Sequence, residues 1–116
     1  RVPRLFEGDL PDFNFGTNHG KSCGAAFQEL IEEFAETITD YSHVTNERFV
    51  GGYITRHYGA MENVHAVQLE LNRSTYMDEA TLEWDFDKSV DVIPVIERFV
   101  ISLMKWAENH PGKKAL

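Results

Sequence analysis

Gly51-Gly52-Tyr53-Ile54-Thr55-Arg56-His57-Tyr58-Gly59, followed after a short gap by Val64-His65-Ala66-Val67-Gln68-Leu69-Glu70-Leu71-Asn72-Arg73, is the chemically densest part of this 116-residue chain. In the second segment Val67, Leu69 and Leu71 alternate with Gln68, Glu70 and Asn72. That period of two predicts a strand with one face in a core and one polar face. A carboxylate flanked by amides on a rigid strand is placed where a scaffold presents a general base to a cleft, and Glu70 is the candidate. The plain alternative is a half-exposed strand with a solvated side. The first segment reads as a loop, because glycines at both ends permit close backbone approach to a ligand. It carries Arg56, His57 and Tyr58, side chains suited to small anions, and a guanidinium can grip a carboxylate through two parallel hydrogen bonds. A surface loop with a solvated Arg is the simpler reading of the same residues.

Working outward, Arg73 at the exit of the strand is a second candidate anion clamp, and the sequence does not choose between it and Arg56. Ser74 to Asp78 read as a turn-rich exit. Upstream, Tyr41 to Asn46 suit a strand and Asn46-Glu47 a turn. From Ser22, taken as N-cap, a helix is signalled by Ala26, Phe27, Leu30, Ile31, Phe34 and Ile38 at helical spacing. Its glutamates Glu29, Glu32, Glu33 and Glu36 form a solvated face. Residues 7 to 20 are mostly turn, with room for a short strand near Phe13-Asn14-Phe15. A last helix is predicted from Asp91 to Asn109, with Val92, Val95, Ile96, Phe99, Val100, Leu103, Met104 and Ala107 buried, Pro94 in its first turn and Pro111 to Lys114 ending it. The rhythm of strands and amphipathic helices predicts α/β architecture.

Composition narrows the partners. A formal charge of −8 and a pI near 5.0, without a Lys/Arg cluster, argue against nucleic acid or an anionic membrane. The single cysteine, Cys23, excludes an internal disulfide framework, and no apolar run approaches a membrane span. Cytoplasm is the expected location and a small molecule the expected ligand. His43 and His65 lie in strand-like runs and read as hydrogen-bonded structural imidazoles, and His19 as a solvated loop residue.

The blocks Pro3-Arg4-Leu5-Phe6, Leu10-Pro11-Asp12-Phe13-Asn14, Gly16-Thr17-Asn18 through Ser22-Cys23, Gly51 to Gly59, His65 to Leu71 and Ser74 to Glu79 occur in order and at natural spacing. Together they resemble the C-terminal half of the N-formylglutamate amidohydrolase (deformylase) family. The resemblance implies that residues 1–116 are the C-terminal portion of one amidohydrolase domain. The fold implied is part of a three-layer α/β/α domain with a mixed sheet, similar to zinc carboxypeptidase-like (phosphorylase/hydrolase-like) folds. The reaction implied is hydrolysis of N-formyl-L-glutamate to formate and L-glutamate in histidine degradation. Glu70 would be the general acid/base, and Arg56, His57, Tyr58, Asn72 and Arg73 would line the substrate pocket. The cofactor implied is a divalent metal, zinc, bound mainly by residues upstream of this chain, with no metal ligand named within it; alone, the chain is then expected to be inactive. Where the family pattern has an acidic residue, His19 stands here. A non-catalytic binding module that keeps the fold, or a hydrolase of another N-acyl amino acid, is the alternative.

Overall fold

The computed structural model describes residues 8–110. The Pro3 to Phe6 block and the Pro111 to Lys114 helix stop lie outside them. The organising element is β1 (Phe13–Gly16), all four of whose residues are buried. It pairs in parallel with β2 (His43–Thr45) on one side and antiparallel with β3 (Gln68–Leu71) on the other, giving a mixed sheet of order β2-β1-β3. A parallel pair needs a crossover, and α1 (Ala25–Glu36) supplies it between β1 and β2.

Phe13 and Phe15, two residues apart on β1, point to one face of the sheet and are fully buried. Onto that face pack Phe27, Ile31, Phe34 and Ala35 of α1, spaced at four, three and one residues, and Val92, Val95 and Phe99 of α3 (Phe86–Asn109). The seam is aromatic: the Phe99 ring lies 5.2 Å edge-on from Phe15 and 5.1 Å from Phe34. Leu69 and Leu71, opposite Phe15 and Phe13 in register, extend the same apolar face, as the alternation of β3 predicts. Tyr41 packs 5.3 Å from Phe13. Burial pushes its phenol above the ordinary 10.0, and Asp91, Asp12 and Asp40 add to this. Its contribution to stability is therefore complete below that pH and lost as pH climbs through the raised value.

Several expectations are corrected. The Gly51 to Gly59 stretch is not a loop: Tyr53–Gly59 form a helix, α2, entered from Gly52. Helix α1 begins at Ala25 behind Gly24, which offers no side-chain cap, because the Ser22 hydroxyl instead donates to the Ala66 carbonyl at 2.7 Å. Ala26 is exposed. The strand predicted from Val64 is regular only over Gln68–Leu71. The turn-rich exit is a 3-10 turn (Arg73–Thr75) followed by a hairpin of β4 (Met77–Asp78) and β5 (Glu83–Trp84). Helix α3 starts five residues earlier than predicted because Asp85 caps it, accepting from the Lys88 N–H at 3.0 Å. Pro94 consequently sits inside the helix, on its exposed side. Val100, Met104 and Ala107 are exposed rather than buried.

Helix α2 rests on the segment after β1 through one close approach. A methyl group added to Gly59 would lie 2.6 Å from the Ser22 Cα and 2.7 Å from its carbonyl oxygen. Ser22 has no room to retreat, since its N–H donates to Thr17 and its carbonyl accepts from Ala66. Gly59→Ala is therefore expected to cost about 1–3 kcal/mol through overpacking. A denaturant midpoint unchanged from the parent chain would show that α2 is not seated this closely.

Candidate functional site

Register places Glu70 directly across from Asn14, on the sheet face opposite the phenylalanines. Its carboxylate is held rather than free: the Gln68 Nε2 donates to the Glu70 Oε1 at 3.0 Å. The same Gln68 side chain accepts from the Gly52 N–H at 2.8 Å, so it ties Glu70 to the start of α2. Asn14 fixes the backbone beneath, donating from Nδ2 to the Pro11 carbonyl at 2.8 Å and to the Glu70 carbonyl at 3.3 Å. Asn14 is 1% exposed, and its Oδ1 is buried without a hydrogen-bond partner. A buried acceptor in that condition is uncommon and marks a place where a donor is wanted.

The two arginines differ in setting. Arg56 is exposed on α2 and donates to the Gly51 carbonyl at 3.3 Å. Arg73 opens the 3-10 turn directly after β3 and has a buried Nε with no hydrogen-bond partner. His57 is exposed, stacked on Tyr53 with centroids 5.1 Å apart, and meets the Tyr58 ring edge-on at 5.0 Å. Asn72 is engaged at both ends: Nδ2 donates to the Leu10 carbonyl at 2.9 Å, and Oδ1 accepts from the Ser74 N–H at 3.1 Å.

Among the described residues, Tyr58 and Glu70 line two different hollows. Tyr58 lines an open groove of about 560 Å³ between α2 and the end of α3, with Ile54, Phe27, Leu103 and Trp106. Glu70 lines a hollow of about 290 Å³ beside the outer edge of β3, with Leu69, Leu71, Tyr76, Trp84 and Ile93. Arg56, His57, Asn72 and Arg73 line neither. What the fold does bring together is Gly52, Gln68, Glu70 and Asn14, from three separate segments. Asn14 carries no site role in the sequence reading. Its signal is a polar residue between two phenylalanines in Phe13-Asn14-Phe15, a strand buried on both faces.

Among the described residues no group of three His, Cys, Asp or Glu side chains could hold an ion, so these residues by themselves do not fit a zinc centre. His65 illustrates why: its Nδ1 accepts from the Gly24 N–H at 3.0 Å, and its ring is stacked 5.0 Å from Phe27 and edge-on to Trp106 at 4.9 Å. It is a structural imidazole. No helix among the described residues is long and apolar enough to cross a membrane.

Comparison with known proteins matches residues 1–77 to the family described as N-formylglutamate amidohydrolase. An N-formylglutamate deformylase of Pseudomonas aeruginosa is 50% identical over 111 residues, and one of Pseudomonas putida is 45% identical over 113. Each alignment takes in 94% of this chain and 42% of the relative, so the chain spans well under half of their length. The crystal structure of N-formylglutamate amidohydrolase from Ralstonia eutropha JMP134 superposes with a TM-score of 0.65 at 22% identity, over 90% of this chain and 36% of that one. The last likeness bears on fold: a mixed sheet with helices, in the α/β class.

Proposed function

Because the chain belongs to the N-formylglutamate amidohydrolase family, we propose that it is the C-terminal portion of a single amidohydrolase domain that hydrolyses N-formyl-L-glutamate to formate and L-glutamate. The observation that carries this reading is the family match itself, which contains Glu70 on β3, its carboxylate oriented by the Gln68 side-chain amide. Water adds its oxygen to the formyl carbon, the C–N bond breaks, and the nitrogen leaves with a proton. Glu70 takes the proton from the water and returns it to the departing amine, a role that suits a carboxylate on a rigid strand. Gln68 orients that carboxylate by engaging Oε1.

The substrate's carboxylates call for a guanidinium. Arg73 is the better supported of the two, since a buried Nε without an acceptor is expensive unless a ligand fills it. Arg56, with His57 and Tyr58, belongs to the approach on α2, and Asn72 positions the turn that carries Arg73. The proposed divalent metal, zinc, is held mainly by residues upstream of this chain, and residues 8–110 offer no three-donor cluster of their own. Cytoplasmic residence and a place in histidine breakdown belong to the same reading.

The test uses a full-length chimera in which this chain replaces the matching region of the Pseudomonas aeruginosa relative. Formate release from N-formyl-L-glutamate is expected, and it should fall on treatment with a chelator. N-formyl-L-alanine, which lacks the side-chain carboxylate, should react with kcat/KM lower by roughly 10- to 100-fold, the worth of one hydrogen bond to a charged group. Equal rates on the two would move the specificity to another N-acyl amino acid. No formate with any divalent metal supplied would favour a binding module.

A further inference from the structure

Helix α3 is apolar on two opposite sides. Val92, Val95 and Phe99 face the core, while Phe86, Val90, Ile93, Ile101 and Met104 are between 42% and 73% exposed. At about 100° per residue the second set falls within one narrow stripe opposite the first, interrupted only by Glu97. A helix of this kind is normally enclosed between two layers, and an apolar stripe of this length on a surface marks an interface.

The stripe runs into an open sheet edge. In β3 the Asn72 N–H bonds to Asp12 across β1, so the backbone groups of Leu71 and Leu69 point the other way. No described strand pairs with them there. Ile93 belongs both to the exposed stripe and to the hollow lined by Leu69 and Leu71, which makes edge, hollow and stripe one surface. An unpaired edge beside an apolar hollow takes an added strand, main-chain bonds supplying affinity and alternate side chains entering the hollow.

We infer that this surface receives the remainder of an amidohydrolase domain: a strand pairs with the outer edge of β3 while an apolar layer covers Phe86 to Met104. The occupant follows from length, since the relatives carry more than half of their chains outside the region matched here. A covering of that size is what the two-sided helix requires, and Glu70 lies at the seam, on the strand whose far edge is open. This rests on family membership and not on the proposed reaction.

Co-expression of this chain with the unmatched segment of the Pseudomonas aeruginosa relative tests it. A 1:1 complex is expected by size-exclusion chromatography with light scattering, with hydrogen exchange at the Leu69 and Leu71 amides slowed at least about tenfold. Ile93→Asp combined with Ile101→Asp, both at exposed positions, should weaken the complex on the order of 100-fold by burying charge. A complex indifferent to those substitutions, no complex, or a homodimer of this chain that the segment does not displace would overturn the inference. If the free segment does not remain in solution, the two are joined by a flexible linker; unprotected Leu69 and Leu71 amides in that fusion would overturn it equally. A complex that forms yet releases no formate would sink the proposed reaction and leave the docking surface standing.

Discussion

Glu70→Gln in the full-length chimera is expected to lower kcat for formate release by on the order of 10²–10⁴-fold, the usual worth of a positioned acid/base. The substitution is nearly isosteric, and the new amide oxygen can still accept from Gln68, so the bond that links β3 to α2 survives. What is lost is a group that takes and returns a proton. Circular dichroism and the unfolding midpoint should match the parent protein, which separates chemistry from folding. Turnover within a few-fold of the parent would remove Glu70 from the reaction. A loss confined to KM would reassign it to substrate binding.

Phe15→Ala is expected to cost about 3–5 kcal/mol, from lost burial and the cavity left behind. Phe15 is fully buried on the central strand and contacts Phe99 at 5.2 Å and Phe13 at 6.3 Å, so sheet and α3 both border the void. Set against the roughly 5–15 kcal/mol that keeps a domain folded, this is a large share. Urea unfolding followed by tryptophan fluorescence reports it, and a change below about 1 kcal/mol would mean that the core closes over the gap or that Phe15 is not its centre.

What was legible followed from periodicity. The alternation in Val67 to Leu71 correctly put Leu69 and Leu71 on the core side, and the spacing of Phe27, Ile31 and Phe34 identified α1. Helix α2 was not legible because its seven residues hold aromatic and β-branched side chains between glycines, and its start is bonded to Gln68, sixteen residues away. Local propensity carries no trace of that bond. The start of α3 was misplaced because Pro94 suggests a first turn, whereas Asp85 caps the helix nine residues earlier. At the site, a sequence shows which residues share a strand face, hence Gln68 with Glu70, but not that Asn14 lies across from them, a pairing 56 residues apart.

That separation has a bearing on synthesis. Among the described strands of this sheet, β1 is made before both of its neighbours, β2 about 30 residues later and β3 56 later. At about 5–20 residues per second, a ribosome leaves Phe13 and Phe15 without β3 for roughly 3–11 s after they emerge. Through that interval the side of β1 that β3 will cover is an open template, so its safe passage depends on translation speed and on whatever holds nascent chains apart.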